Sequence, residues 1–453
     1  MNRKFRLICS LLCVVCSSYS VSFSAEILKL NVESLFELAE QRSSAIRVMD
    51  YRIEESQTAY KAARSERLPE LNAGVSVAYL GNGYITDRDF SNGTSVSIPH
   101  YGNNIAIEAS QVVYSGGAIT NGIKAADIGR KMAAINRERT SNDIRFALLG
   151  YYLELAKLKA QRNVITKNIS LAEKLIEEMN NRLQQGVALK NDITRYELQL
   201  SEIKLRLEKN TEMTNVMNFH ICNILGYDNT IVEPDVNEIL ATDANAGTIG
   251  NIAEIAGNNN VDIRTATLSI ELLEKYRNIE KAALMPKVAL FANAHLDGPI
   301  TIEVPTINNN FFYWNVGISL SYNISSLYKA KNKVSEAKAK IATAQQSLTE
   351  VKESVIDNVF KAYQEFKTAE TEVSTYRKSV ELASENYSIT SNRYINGMAL
   401  VTDMIDASNV KLNAEIELQN SIINRTFSFY KLKYLTNTLY VRRIIWINRK
   451  KHC

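Results

Sequence analysis

The chain has 453 residues, with 53 Lys or Arg against 49 Asp or Glu, a net charge of +4 and 45% hydrophobic residues. That near balance excludes a nucleic-acid binder that works by overall charge, and the length allows up to about three domains. Without Arg3, Lys4, Arg6 and the five basic residues from Arg442 to Lys451, the body holds 45 basic residues against 49 acidic ones.

Residues 1–24 read as a secretory signal. A basic start is followed by an apolar run from Leu7 to Cys16 and by small residues around Ser22, Ser24 and Ala25. The run is too short to span a bilayer, so cleavage after Ser24 or Ala25 is expected rather than anchoring. Cys16 follows Val14 and Val15 instead of the small residues that precede an acylated cysteine. Cys222 and Cys453 then remain, isolated, and His100, His220, His295 and His452 are scattered, so no disulfide framework, metal site or cofactor is expected.

The remainder is a duplication. Residues 182–192, RLQQGVALKND, answer residues 393–403, RYINGMALVTD, with Arg, Gly, Ala, Leu and Asp matched at an offset of 211. Pro69 answers Pro286 at 217, and Ser115 answers Ser325 at 210. The expected division is a first repeat over 25–226, an inter-repeat segment over 227–248, a second repeat over 249–438 and a basic tail over 439–453. Each repeat runs helix, strand pair, very long helix, break, shorter helix.

In the first repeat, Leu71, Val75, Val77 and Tyr79 alternate with Asn72, Gly74 and Ser76, and Ile105 and Ile107 alternate with Asn104, Ala106 and Glu108. Strands are expected at about 71–80 and 103–113. In the second repeat they are expected at about 287–297, where the pattern is weaker, and at 312–324, where Trp314, Val316, Ile318, Leu320, Tyr322 and Ile324 alternate with polar or small residues. Period-two alternation over about ten residues suits a membrane β-strand and equally a half-buried soluble one. The export signal and the lack of an apolar spanning helix favour the membrane. Four strands close no barrel, since the smallest known have about eight, and open edges are not viable in lipid. The membrane reading therefore demands an oligomer.

None of the six prolines falls in 100–233 or after 305, which permits long helices there. Leu327, Val334, Ile341, Leu348, Val355 and Ala362 lie seven apart, and Ala330, Ala337, Ala344 and Val351 sit three after the first four. That a/d pattern predicts left-handed coiled-coil packing, with alanines permitting close approach. A helix over 327–395 would run about 100 Å at 1.5 Å per residue, and 119–184 suggests a similar length. No nucleophile elbow, phosphate loop, HExxH or CxxC is present, so an enzyme is not expected.

Two motifs carry a resemblance. One is Arg393-Tyr394-x-x-Gly397, continued by Asp403, Asp406 and Ala407; the other is the Tyr114-Ser115-Gly116-Gly117 turn leaving a strand for a helix. With the duplicated plan, they resemble the TolC family of outer-membrane efflux proteins over about residues 31–437. The resemblance implies a mainly α fold with a transmembrane portion: a homotrimer whose 12-stranded β-barrel sits on a long coiled-coil α-helical tunnel. It implies an outer-membrane location with the tunnel in the periplasm, and an exit duct of a tripartite efflux pump or a type I secretion system. The partners implied are outer-membrane lipid, a periplasmic adaptor (membrane fusion protein) and an inner-membrane pump of RND, ABC or MFS type. Nucleic acid and cofactors are not among them. Segments 81–101 and 298–310 would be extracellular loops, and 227–248 part of an equatorial region.

Gly186 and Gly397 are expected at the periplasmic tips, where glycine permits the turn. Asp403 and Asp406, three apart on a helix beginning near Val401, share one face. They read either as acids complementing a helix N-terminus or, in a trimer, as two rings of carboxylates that favour cations. Tyr394 and Asp192 match positions whose polar contacts hold the family's tip closed. Arg195 stands where the second repeat has Asp406, and Ala399 stands where the family often has a basic residue, so the closure network departs from the family pattern. Opening is expected as an iris-like repacking of the second-repeat hairpin, driven by partner binding. The competing reading is a trimeric coiled-coil surface or structural protein.

Overall fold

The computed structural model describes residues 26–228, 230–241, 245–303 and 305–439. The expected signal (1–24) and, Leu439 apart, the basic tail lie outside them. The chain runs β1 (Glu26–Leu30), α1 (Val32–Arg42), α2 (Ser44–Ser65), β2 (Glu70–Tyr79), β3 (Gly83–Ile85), β4 (Thr94–Val96), β5 (Tyr101–Tyr114), α3 (Ala118–Gln184) and α4 (Lys190–Leu225). It continues through β6 (Thr230–Pro234), α5 (Val236–Ala241), α6 (Ile249–Asn259), α7 (Val261–Ala282), β7 (Lys287–Gly298), β8 (Phe311–Ser321), α8 (Ser326–Ile395) and α9 (Val401–Leu435).

The duplication holds element by element. Helices α1 and α6 have 11 residues each, and α2 and α7 have 22 each. Helices α3 and α8 have 67 and 70 residues, within a residue of the spans the sequence suggests. The described residues divide into two compact units: residues 49–138 with 261–354, and residues 26–48 with 139–260 and 355–439.

The first of these units holds an antiparallel sheet in the order β2-β5-β7-β8, so the hairpin of one repeat pairs with that of the other through β5 and β7. Alternation gives the sheet two unlike faces. One carries Val75, Ile105, Leu296 and Phe312 in a single cross-strand row, with Trp314, Val316, Ile318 and Leu320 along β8. The other carries most of the Asn, Ser, Asp and Glu residues. The apolar face is uncovered: Val75 is 73% exposed, Trp314 69% and Ile318 71%. Among the described residues, the free edges of β2 and β8 have no partner strand.

Strand β8 stops at Ser321, short of the expected 324, because Asn323 redirects the chain: its side-chain oxygen accepts from the Ser325 N–H at 3.1 Å and its carbonyl accepts from the Ser326 N–H at 3.0 Å. The segment 81–101, expected to be a loop, contains the β3–β4 hairpin. Its turn is closed by the Asp87 N–H on the Ser91 carbonyl and by Asn92 Nδ2 on Asp87 Oδ2 at 2.8 Å. The heptad face of α8 is present from Ala330 onward, with Ile341, Val355 and Ala362 buried, whereas Leu327 is exposed.

The second unit has its own core. Leu35, Phe36 and Ala39 of α1 pack with Leu148, Leu149 and Leu153 of α3, Ile221 and Leu225 of α4 and Ile423 of α9. Strands β1, at the start of the first repeat, and β6, in the segment expected to be inter-repeat, pair in parallel beside it. Fully buried Tyr152 joins the parts: its hydroxyl donates to the Leu30 carbonyl at 2.7 Å and accepts from the Asp235 N–H at 3.1 Å. Burial pushes its phenol up to about 12.

Tyr152→Phe removes both hydroxyl bonds and leaves the Leu30 carbonyl and the Asp235 N–H only their mutual bond at 3.3 Å, and should destabilise the fold by about 1 kcal/mol. Denaturant unfolding of the detergent-extracted protein checks this; an unchanged midpoint would show that the hydroxyl is dispensable.

Candidate functional site

The candidate site is the pair of helix turns joining α3 to α4 and α8 to α9, both in the second unit. The two turns are built alike. Gly186, at φ 78°, donates its N–H to the Leu183 carbonyl, and Val187 donates to Arg182. Gly397, at φ 71°, donates to the Tyr394 carbonyl, and Met398 donates to Arg393. Each is a Schellman closure, satisfying carbonyls that the helix end leaves open, and each needs a left-handed residue that glycine supplies without strain. A Cβ at either glycine would meet nothing within 4 Å, so the requirement is conformational, not steric.

Each second helix starts from a leucine, Leu189 or Leu400, which offers no side-chain cap. In α9 the cap comes from Asp403, whose Oδ2 accepts from the Leu400 N–H at 3.0 Å, one turn back. Asp406 stands three residues on, and both carboxylates are exposed on one face. Asp192 holds the equivalent place in the first repeat and is half-buried.

Beneath the turns, Leu175, Met179, Ile193, Tyr196, Val401 and Met404 form a buried cluster against which Tyr387 and Tyr394 pack. Burial raises the Tyr394 phenol above its ordinary value; the charge of Asp192 adds to this and that of Arg182 offsets it. The structure thus brings Tyr394, Asp192 and Arg182 into one electrostatic neighbourhood. Among the described residues no hydrogen bond joins Tyr394 to Asp192.

Sequence reasoning missed three features here. Arg182 bridges the two turns, its Nη2 donating to the Ile395 carbonyl at 2.9 Å, at the negative end of α8. Its repeat counterpart Arg393 stays at home, on the Met398 carbonyl at 3.3 Å. The matched arginines four residues before each glycine were the available signal. The second is Tyr196, 1% exposed, whose hydroxyl has no hydrogen-bond partner. The third is a polar seam along α9. Asn409 pairs with Gln199, Asn413 accepts from Arg206 at 3.0 Å, Glu415 accepts from Asn168 at 3.1 Å and Asn420 accepts from Gln161 at 2.6 Å. The spacing of Asn409, Asn413 and Asn420 along one helix is visible in the sequence, but their partners are more than 200 residues away.

Among the described residues no helix is long and apolar enough to cross a membrane, and no three His, Cys, Asp or Glu residues are placed to hold a metal.

The fold is shared with solved channels. Over 90% of this chain and 96% of the other, it is similar to the outer membrane protein VceC of Vibrio cholerae, at 16% identity and a TM-score of 0.73. It is likewise similar to the CmeC outer membrane channel of Campylobacter jejuni (15% identity, 91% of this chain and 86% of the other, TM-score 0.73). The Neisseria gonorrhoeae MtrE outer membrane channel, solved in its open state, matches at 16% identity over 90% of this chain and 89% of the other, with a TM-score of 0.71. Comparison with curated protein sequences gives no match. The profile described as outer membrane efflux protein matches residues 35–207 and 252–434, one segment per repeat and most of the chain. That family is one of conduits and not of enzymes. The chain belongs to the outer membrane efflux protein family.

Proposed function

We propose that this outer-membrane efflux channel works as a homotrimer, in which three four-stranded sheets close one 12-stranded barrel and the helical turns gate passage on the periplasmic side. The observation that carries the reading is the sheet. Its uncovered apolar face suits lipid, its polar face suits a water-filled lumen, and its two unpaired edges require neighbours. An even number of alternating strands lets β8 of one copy meet β2 of the next in antiparallel sense, so the pattern repeats around a ring. The surface-fibre alternative is not favoured, since family and fold relatives alike are efflux channels.

The gate is the arrangement of α8 and α9 against α3 and α4. Asp403 caps α9 in each copy, and Asp403 and Asp406 together ring the mouth in the trimer. Arg182 and the α9 polar seam hold the second-repeat hairpin in register, and hydrogen bonds of this kind re-form after a shift more readily than interlocked apolar side chains do. Val187, Leu189, Met398 and Leu400 stand exposed on the two turns and offer a periplasmic adaptor an apolar surface. Binding there biases the gate; the inner-membrane pump supplies the energy.

In planar bilayers the purified protein should give a cation-selective conductance, and Asp403→Ala with Asp406→Ala should move the K+ over Cl− preference toward unity. Unchanged selectivity in a folded trimer would remove the ring assignment.

Tyr196 makes a second prediction. Burial raises its phenol well above the ordinary value near 10, with Tyr387 and Tyr394 contributing. As pH rises past about 10, the unfolded chain loses a proton that the folded turn region retains, so stability there falls until the higher folded value is passed. Tyr196→Phe should reduce this alkaline loss and be neutral, or stabilising by up to about 1 kcal/mol, at pH 7, because the deleted hydroxyl has no partner. Hydrogen exchange of the α4 and α9 amides at both pH values reads the effect. A neutral-pH loss above about 2 kcal/mol would show that the hydroxyl is bonded in the assembled channel.

A further inference from the structure

We propose that the polar face of the sheet carries, in each copy, a subsite for planar aromatic cations built from Phe311, Tyr313, His295 and Asp297, so that the exit barrel selects among what passes through it. The inference rests on the trimeric-barrel reading, which turns this face to the lumen.

Three rings form a ladder on a face whose other side chains are mostly small or polar. Phe311 and Tyr313 stack with centroids 5.5 Å apart at 24°, and Tyr313 stacks on His295 at 5.1 Å and 15°. Strand register dictates the arrangement: His295 lies directly opposite Tyr313, and Asp297 opposite Phe311. The Asp297 carboxylate is fixed beside the rings at both oxygens, by the Tyr313 hydroxyl at 3.2 Å and by Asn104 Nδ2. Glu108 faces Asn293 one pair further along β7 and adds a second carboxylate to the face.

The ladder is open to a visitor. Phe311 is 53% exposed, leaving a ring surface free. On the other side of His295 the cross-strand row continues through Ala106 to Gly74, and a Cβ on Gly74 would meet nothing within 4 Å. These small residues leave a trough leading to the rings.

The chemistry selects the ligand. Aromatic faces carry negative electrostatic potential, and a carboxylate held at their edge strengthens it, so cations are favoured. Stacked parallel plates reward a flat partner. A metal ion or small ammonium gains the charge term without stacking, and a neutral flat molecule gains stacking without the charge.

The test is single-channel recording of the full-length protein with N-methylacridinium added at the external side and tetraethylammonium as the non-planar cation of equal charge. N-methylacridinium should block wild type, and Phe311→Leu or Asp297→Asn should each raise its half-blocking concentration roughly three- to tenfold. Tetraethylammonium should block weakly and equally in wild type and Phe311→Leu, and Asp297→Asn, which removes the charge, should weaken it further. Phe311→Leu keeps apolar bulk and Asp297→Asn keeps hydrogen-bonding capacity, so a purely structural role would show as lower heat stability with block unaltered. Equal block of conducting variants and wild type, or equal potency of the two cations, would overturn the subsite alone. Absence of any wild-type pore would overturn the barrel reading and the subsite with it.

Discussion

A backbone in lipid must find all its hydrogen-bond partners within protein, and among the described residues two strand edges are left without one. Each unmet N–H or C=O in hydrocarbon costs several kcal/mol, so a ten-residue edge such as β2 cannot remain bare in a bilayer. Covering the edges with water is no remedy, because the apolar face that runs from Val75 through Ile105 and Leu296 to Phe312 is exposed on the same sheet. The two demands have a common solution, a ring of copies in which edges meet and apolar faces turn outward.

The helical hairpins are held by two kinds of contact. Below the turns, the apolar cluster around Met179, Tyr196 and Met404 provides cohesion. Alongside it, α9 is tied to α3 and α4 by Asn, Gln, Glu and Arg side chains, which fix register while stabilising less than an apolar seam does. The buried hydroxyl of Tyr196 has no partner, and Arg182 ties one turn to the other. In contrast, the core around Leu149 and Tyr152 is fully buried and hydrogen-bonded.

Much of this was legible in the sequence because it is periodic or repeated. The absence of proline and the heptads from Ala330 onward mark α8 almost to the residue, and alternation marks the four strands of the sheet. The 211 offset places both turns, and the structure extends it: Gly226 ends α4 as left-handed Asn437 follows α9. What was not legible depends on pairing across long distances. Strands β1 and β6, five residues each, lie about 200 residues apart, and neither EILKL nor TIVEP is long enough to declare itself. Short side-chain reaches, such as Arg182 to the Ile395 carbonyl, follow no period at all. The unequal behaviour of Arg182 and Arg393, matched in sequence, comes from packing and not from local pattern.

The claim that the open edges of one copy close on those of the next is tested most directly by cross-linking Ser76→Cys on β2 to Asn315→Cys on β8 in native membranes. Within one sheet these positions are three strand spacings apart and four residues out of register, roughly 20 Å in all, so a thiol reagent too short to span them joins only different copies. The account predicts that the double variant gives a covalent ladder ending at three copies and that each single variant gives none. A monomer that resists cross-linking, or a ladder that continues past three, would contradict it.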